Sequence, residues 1–334
     1  MAHIDDRWFT TGRQQTDRHG KGRRWRVRYH DPSGAERSKS FDRKVAAEQF
    51  LTQVKGDIQR GAYIDPDAGR ITLRKYAAEW LESRTFEATT RERVDQRLRL
   101  HILPNLGGKT LAELASRPSA IQAWLKALPG SPRHVRTILA NLSAIFTAAV
   151  EDGLILRNPC AVKSVKAPPI PKRNLVPWTA GQVTLARAAL PERYRALTDA
   201  GSGLGLRQGE AFGLSPDDVK WLKGTVHVRR QIRIVGSKLC FAPPKRNKER
   251  DVPLPESVKL RLSAHLAVYP AIPVTLPWKE PGGKLVTEHL IFTTTARHAL
   301  DRAYFHRLWR AAREAAGLSN DRENGFHALR HHYA

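Results

Sequence analysis

The side chains with the clearest chemical potential lie near the end of the chain. Residues 325–334 read GFHALRHHYA, which places an imidazole, His327, and a guanidinium, Arg330, three positions apart. In a helix both side chains lie on one face and can contact a single anion. A solvated helix face or a histidine satisfied in the core gives the same pattern. The pair therefore indicates an anion site only together with other cationic segments.

Two earlier segments supply further cations and one carboxylate. Residues 205–210 read GLRQGE and contain Arg207 and Glu210. Residues 244–250 read PKRNKER and contain Lys245, Arg246 and Lys248. Two simpler interpretations remain open. Arg207 and Glu210 can form an ordinary ion pair along a helix, and an exposed basic loop can simply contact a nucleic-acid backbone.

The charge of the chain indicates a polyanionic partner. Lys and Arg number 57 against 32 Asp and Glu, so the formal net charge is +25 and the pI is near 10.6. The excess is spread along the whole chain, which favours nucleic acid as the partner. A basic protein without a nucleic-acid role is the alternative. A length of 334 residues allows two or three domains.

Several classes of protein are excluded by what the sequence lacks. Cys160 and Cys240 are the only cysteines, too few for a disulfide framework and without metal-ligand spacing. The neighbours His331 and His332 point in different directions on a helix, so no metal site is expected. No run of eighteen apolar residues and no apolar signal core occurs. We therefore expect an intracellular protein with no membrane partner, no metal and no cofactor.

The first part of the chain, residues 1–64, predicts a small sheet backed by one helix. Residues 24–29 read RWRVRY, so Trp25, Val27 and Tyr29 face a core while Arg24, Arg26 and Arg28 face outward. A turn at 31–34 leads to a second strand, and apolar residues between 47 and 58 recur at helical spacing. The arginine face suits the major groove of DNA, but a solvated face is equally compatible.

The middle of the chain predicts a compact all-helical domain over residues 70–162. Four apolar stripes at helical spacing indicate four helices. Arg91, Arg133 and Arg136 lie on polar faces, where they either follow phosphates or are solvated. Residues 163–177 are rich in proline and basic residues, which predicts an interdomain linker. Within it, Lys172 and Arg173 are candidates to contact DNA.

The remainder, residues 178–334, mixes helical and strand patterns and predicts an α+β domain with one small antiparallel sheet on a helical body. Helices are expected near 180–190, 192–203, 256–268 and 301–316, with a short helix after Arg207 and a terminal helix after residue 325. Strands are expected at 225–235, 238–243 and 250–255.

The three cationic segments together carry a resemblance to a known family. Residues 206–210 (LRQGE), with the turn at 217–219, resemble the first arginine box of the tyrosine recombinases, or phage integrases. Residues 245–254 (KRNKERDVPL) are similar to that family's β-hairpin lysine segment, and residues 326–331 (FHALRH) to its second box. Residues 101–107 and 158–159 match the helical core-binding domain, so the resemblance covers nearly the whole chain.

The resemblance implies a multidomain fold with three parts. These are a small α+β arm-binding domain at 1–64, an all-α core-binding domain at 70–162 and an α+β tyrosine-recombinase catalytic domain at 178–334. Arg207 and Arg330 are expected to hold the scissile phosphate, because guanidinium groups offer paired donors to phosphate oxygens. His327 is expected to donate a further hydrogen bond or move a proton, and Lys245 to protonate the leaving 5′ oxygen. Glu210 and His331 are expected to support these groups. The expected contacts to DNA are Arg24, Arg26, Arg28, Arg91, Arg133, Arg136, Lys172, Arg173, Arg246 and Lys248.

One feature of the family is not found in the sequence. The nucleophilic tyrosine and the third box are expected a few dozen residues after the second arginine, which places both beyond Ala334. Tyr333 matches an aromatic core position of the second box and lies too close to Arg330 to attack the phosphate that Arg330 holds. We therefore expect a C-terminally truncated chain that binds DNA and polarises a phosphate without cleaving it.

For the intact protein, the resemblance implies a site-specific recombinase of a phage or mobile element that acts in the bacterial cytoplasm on nucleoid DNA. It would cut double-stranded attachment sites through a 3′-phosphotyrosine link and work as a tetramer in the synaptic complex. Excisionase and a DNA-bending host factor are further expected partners. Two alternatives remain: a non-catalytic DNA-binding remnant of a recombinase, and a type IB topoisomerase with the same chemistry.

Overall fold

The computed structural model describes residues 2–32, 34–61, 63, 65, 68–171 and 176–333. Two compact units are present. The first comprises residues 1–85 and 94–170, and the second comprises residues 86–93 and 171–334. Within the described residues, no helix has the length and apolar character that crossing a membrane requires.

The first unit begins with a three-stranded antiparallel sheet. The strands are β1 (His3–Asp6), β2 (Trp25–His30) and β3 (Glu36–Phe41), in the order β1-β2-β3. Helix α1 (Lys44–Gln59) covers one face, where Val27 and Tyr29 are buried with Ala47 and Val54. The predicted alternation of β2 is confirmed. Strand β1 was not predicted, because the four residues HIDD lack an apolar alternation.

A helical region follows, as the apolar stripes predict. Helix α3 continues through a π-helical turn, Leu98–Ile102, into α4, and one short helix, α5, adds to the four predicted. The N-terminal ends of α2, α5 and α7 are capped by the side chains of Thr72, Thr110 and Ser131. The helices are α2 (Leu73–Ser83), α3 (Ala88–Arg97), α4 (Leu103–Leu106), α5 (Leu111–Ser116), α6 (Pro118–Ala127) and α7 (Pro132–Glu151).

The second unit is α+β. Its helices are α8 (Ala180–Ala189), α9 (Glu192–Ser202), α10 (Gln208–Phe212), α11 (Glu256–Val268), α12 (Arg302–Ala315) and α13 (His327–Tyr333). Its strands are β4 (Val219–Lys220), β5 (Thr225–Val228), β6 (Gln231–Val235), β7 (Lys238–Ala242), β8 (Arg250–Pro253), β9 (Ile272–Pro277) and β10 (Leu285–Leu290). All of the predicted helices are present.

The strands of this unit form three small antiparallel sheets, so the prediction of one sheet was wrong. They pair as β4-β5-β8, β6-β7 and β9-β10. The hairpin of β9 and β10 was not predicted, because Pro273 and Pro277 interrupt the strand pattern of β9. Prolines are tolerated there because this small sheet has only edge strands.

Helix α13, which carries His327 and Arg330, is fixed by close packing against α9. Gly201 of α9 leaves no room for a side chain, since an added Cβ would lie 2.7 Å from Leu329 Cδ1 and 3.0 Å from Phe326 Cζ. Phe326 also contacts an aromatic group in which the Trp178 and Trp309 rings stack at 5.6 Å. The packed core therefore determines where α13 presents its polar side chains.

Candidate active site

Arg207 and Glu210 are joined at the start of α10. The Arg207 backbone N–H donates to Glu210 Oε2 at 3.0 Å, and Arg207 Nη1 donates to Oε1 at 2.9 Å. The Glu210 side chain is fully buried, while that of Arg207 is 39% exposed. The carboxylate therefore fixes one edge of the guanidinium and leaves its remaining N–H groups accessible to a ligand.

Arg250 on β8 is a member of this cluster that the sequence did not reveal. Its Nη2 and Nη1 donate to Glu210 Oε2 and Oε1 at 2.7 and 3.1 Å. Burial alone would raise the pKa of Glu210, but hydrogen bonds from Arg250 and Arg207 outweigh it and hold that pKa below its usual value. Glu210 is therefore an ionised acceptor for two arginines. The available signal was a buried acid beside one arginine, since such a charge requires full pairing.

Arg330 and His327 complete the cluster from α13. Arg330 Nη1 donates to the Gly205 carbonyl oxygen. Burial and then the charges of Arg207 and Arg250 lower the pKa of Arg330, opposed by Glu210. Burial, followed by the nearby His331, Arg330 and Arg207, likewise lowers the pKa of His327. His327 is thus neutral at pH 7. Arg207 and Arg330, which belong to separate motifs, lie within electrostatic range of each other.

Gly205 holds the carbonyl that Arg330 contacts and has a left-handed backbone, with φ of +58°. An added Cβ would lie 2.5 Å from Tyr333 Cδ1. We expect Gly205→Ala to destabilise the second unit by about 1–3 kcal/mol, because it combines backbone strain with a clash against α13. Urea unfolding measures this loss. Gly224→Ala is the control, because Gly224 has a similar φ of +63° but open space around it. If both variants lose the same free energy of unfolding, the clash with Tyr333 contributes nothing.

Lys245 lies on the wall of a cleft of about 780 Å³ that Arg207, Arg246 and Arg302 also line. The expected hairpin position is not observed. Lys245 begins a short 3₁₀ turn, Lys245–Asn247, that connects β7 of one sheet to β8 of another. Gln231 Nε2 donates to the Pro243 carbonyl at 2.7 Å and fixes the start of this turn. The lysine thus faces the same cleft as Arg207.

His331 and Tyr333 lie at the edge of the cluster. The His331 ring meets that of His327 edge-on, with centroids 4.7 Å apart, which fits a supporting position. The ring of Tyr333 lies close to the Gly205 backbone, but the residue is 45% exposed. The expectation that Tyr333 occupies a core position was therefore wrong. Among the residues that the structure describes, no group of three or more His, Cys, Asp or Glu side chains is arranged to hold a metal ion.

Family models match two parts of the chain, one in the helical region and one in the C-terminal α+β region. The model of the phage integrase family matches residues 182–334, and the model of the phage integrase N-terminal SAM-like domain matches residues 72–128. The chain belongs to the phage integrase family. Arg207, Lys245, His327 and Arg330 all fall within the first matched range.

Known integrases share sequence with the chain at a moderate level. It is 27% identical to the integrase of Mycobacterium phage L5 over 241 residues, which cover 68% of this chain and 63% of that protein. The chain thus spans less than two thirds of the L5 integrase. It is also 27% identical to the integrase of Mycobacterium phage D29 over 275 residues, covering 77% and 70%.

Solved structures of integrases share the fold. The Tn1549 transposon integrase in complex with transposon right end DNA superposes with a TM-score of 0.63 at 19% identity, covering 79% of this chain and 85% of that one. The lambda integrase tetramer bound to a Holliday junction superposes with a TM-score of 0.59 at 20% identity, covering 92% and 83%.

The outward arginines of the N-terminal sheet are paired with acids, and this pairing was not predicted. Arg24 forms a two-point contact with Asp6, with Nη2 at 2.8 Å from Oδ2. Arg26 and Arg28 both contact Asp5. The charge of this arginine face is therefore locally neutralised.

The other expected DNA contacts have varied environments. Arg133 is exposed on α7, whereas Arg136 Nη1 donates to the Pro168 carbonyl at 3.1 Å. Arg91 is half-buried on α3. Arg246 and Lys248 are exposed around the turn after Pro244. Lys172 and Arg173 lie outside the described residues.

Proposed function

We propose that the protein is a site-specific DNA recombinase, an integrase, that breaks and rejoins duplex DNA by transesterification. The observation that carries the proposal is the convergence of Arg207, paired with Glu210, and of Arg330 and His327 from distant parts of the sequence. Membership of the phage integrase family supports it. The guanidinium groups of this cluster would balance the charge on the reacting phosphate.

Arg207 and Arg330 would bind the non-bridging oxygens of the scissile phosphate. Negative charge gathers on these oxygens as the phosphorus becomes five-coordinate, and guanidinium groups remain protonated there despite burial. Glu210 and Arg250 would act by orienting Arg207. Because these groups are positioned before the reaction begins, they stabilise the charge without reorganisation.

His327 and Lys245 would manage hydrogen bonds and protons. In the cleavage step a tyrosine oxygen attacks the phosphorus, a 3′-phosphotyrosine bond forms, and the bond to the 5′ oxygen breaks. Lys245 would supply the proton that this leaving oxygen takes up, and neutral His327 would donate a hydrogen bond to the phosphate or accept the tyrosine proton. Religation reverses the same steps.

We propose that the nucleophile is a tyrosine other than Tyr194, Tyr304 and Tyr333. The contacts of these three tyrosines support this assignment. Tyr333 packs on Gly205, and the hydroxyls of Tyr194 and Tyr304 pair with each other at 2.9 Å. Arg207 and Arg330 would accordingly hold a phosphate for a nucleophile that these three tyrosines do not supply.

The domain roles follow the same proposal. Residues 1–64 would bind arm-type sites, residues 70–162 and 178–334 would bind the core site, and residues 163–177 would link the two. The partner would be double-stranded attachment-site DNA, and four copies would assemble on it. An excisionase and a DNA-bending host factor would determine whether recombination proceeds toward integration or excision. The reaction would take place in the bacterial cytoplasm. The lambda integrase structure is a tetramer bound to a Holliday junction, which supports DNA as the partner and the assembly of four copies on it.

A nicked suicide duplex that carries an attachment site tests the proposal, because the loss of a short fragment after cleavage traps the covalent product. The 334-residue chain is expected to shift this duplex, and a protein that carries the nucleophile is expected to form an adduct that survives denaturation. Binding without an adduct by a protein that carries the nucleophile would favour a non-catalytic remnant. Site-independent relaxation of supercoiled DNA would favour a topoisomerase.

A further inference from the structure

The outward face of the N-terminal sheet carries an arrangement that the proposed chemistry does not use. Asp5 of β1 lies directly opposite Arg26 of β2 in the strand register, and His3 lies opposite Arg28. Arg26 Nη2 donates to Asp5 Oδ2 at 3.3 Å, and Arg28 Nε lies 2.9 Å from the same oxygen. His3 Nε2 lies 3.1 Å from Asp5 Oδ1. One carboxylate thus holds two arginines and a histidine.

These contacts fix the arginines without covering them. The side chains of Arg26 and Arg28 are 28% and 35% exposed. On the other side of β2, the register places Ser40 beside Arg26 and Ser38 beside Arg28. The two guanidiniums are therefore bordered by small side chains on one side and by their acidic partner on the other. Among the described residues, no hydrogen bond or ion pair involves Arg26 Nη1 or Arg28 Nη2, so both guanidiniums retain N–H groups for a ligand.

Neither a gain in folding stability nor a general attraction to phosphates explains the pairing of these arginines with acids. An exposed ion pair contributes about 0–1 kcal/mol to folding. Asp5 and Glu36, which accepts from Arg28 Nη1 at 3.2 Å, cancel the two positive charges. A surface that serves only to attract a phosphate backbone gains nothing from such acids. What the acids do provide is a fixed orientation for each guanidinium.

The geometry of the sheet matches the spacing of bases in DNA. Arg26 and Arg28 are two positions apart on one face of a strand, which separates them by roughly 7 Å. Two base-pair steps of duplex DNA also span roughly 7 Å. A β-ribbon fits the major groove, where the commonest specific contact is an arginine that donates two hydrogen bonds to guanine.

We propose that Arg26 and Arg28 read two guanines about two base pairs apart in the major groove, and that Asp5 sets base specificity by orienting both guanidiniums. The proposal rests on the DNA-binding function proposed for residues 1–64. It assigns sequence readout to two named residues and separates them from Arg24. Arg24 is held by Asp6 and lies over the rings of Phe9 and Trp25, at 4.9 and 4.8 Å, which makes it part of the domain's structure.

The test uses the 334-residue chain and duplexes selected from a random library by their binding to it. Arg26→Gln and Arg28→Lys are expected to weaken binding to the selected duplex roughly 10- to 100-fold, and to change binding to an unselected duplex by less than about twofold. Arg28→Lys is informative because it retains the charge and loses the two-point donor. Replacing each guanine of the selected site in turn should identify one base for each arginine.

Asp5→Asn gives the sharpest result, because it makes the protein more basic. It is expected to lower the preference for guanine at both positions about tenfold, while binding to unselected duplex stays equal or improves. Arg18→Gln is the matched control, since Arg18 is exposed in the loop that joins β1 to β2. It should weaken binding to all duplexes alike and reduce the salt dependence by about one unit of slope.

Two outcomes would overturn the inference. In the first, Arg26→Gln and Arg28→Lys leave the base preference unchanged. In the second, Arg26→Gln weakens all duplexes equally with a smaller salt dependence, as a phosphate contact would. Thermal unfolding of each variant separates these results from misfolding, and Arg28→Lys provides the decisive measurement if Asp5→Asn does not fold. If the unaltered chain binds no duplex, the proposed function itself has failed; if it binds and these variants match it, only this inference has failed.

Discussion

Arg330→Ala, in a protein that carries the nucleophile, is expected to reduce the rate of covalent adduct formation on the order of 10³-fold. The guanidinium is proposed to contact the oxygens that gain charge as the phosphorus becomes five-coordinate, and the loss of one such donor has an effect of about this size. Arg207→Ala is expected to cause a similar loss. A single-turnover reaction with a labelled nicked duplex measures the rate, and a mobility-shift titration measures binding separately.

The conservative and matched variants make this prediction specific. Arg330→Lys retains the charge but loses the paired donors, so its rate should lie between those of the wild type and the alanine variant. DNA binding by all three should differ by less than about tenfold, because many other basic residues contact the backbone. Tyr333→Phe should retain the wild-type rate. Loss of the adduct in Tyr333→Phe, with Arg330→Ala unaffected, would refute the assignment of both residues.

Arg207, His327 and Arg330 could be proposed as site residues from the sequence, because phosphate chemistry restricts the side-chain type and the family motifs fix the order. Helices could be placed for the same kind of reason, since their apolar spacing is regular over ten residues or more. The structure adds that Arg330, more than a hundred positions after Arg207, donates to the carbonyl of Gly205, two positions before Arg207.

The side-chain contacts that could not be predicted from the sequence depend on pairing between strands. Arg250 reaches Glu210 only because β8 pairs with β5 in a particular register, and Asp5 reaches Arg26 only because β1 joins the edge of β2. Neither β1 nor β8 has an apolar alternation from which its partner strand could be predicted. Cross-strand pairing of this kind is a tertiary property, since a shift by one residue would move every side chain to the other face.

The position of the Lys245 turn shows the same limit. Its basic composition was evident, but its connection between two separate sheets was not. The turn contains Arg246 and Asn247 with positive φ, at +66° and +53°. Such backbones are uncommon for residues other than glycine, and surrounding contacts must maintain them. The Gln231 contact to Pro243 at one end and the Arg250 contact to Glu210 beyond the other supply that support.

Arg250→Ala is expected to lower the free energy of unfolding of the second unit by about 3–5 kcal/mol at pH 7. The variant leaves the fully buried Glu210 carboxylate with Arg207 as its remaining arginine partner among the contacts described, and an incompletely paired buried charge carries a cost of this size. Glu210→Gln in the same background should recover part of the loss, because it removes the charge that lacks its partner. Lys248→Ala, an exposed lysine of the same segment, should change stability by less than about 0.5 kcal/mol.

The pH dependence tests the physical reason. In the wild type the pKa of Glu210 is below its usual value, so its contribution to stability is complete above the pKa of an unfolded glutamate and is lost as pH falls through the lower folded value. Without Arg250, burial is expected to raise the pKa of Glu210 and reverse that contribution. The stability difference between Arg250→Ala and the wild type should therefore be largest at pH 7 and become smaller at pH 5.5 and pH 4. Urea unfolding at these three pH values measures it, and a difference that is constant with pH would show that Arg250 acts through packing alone.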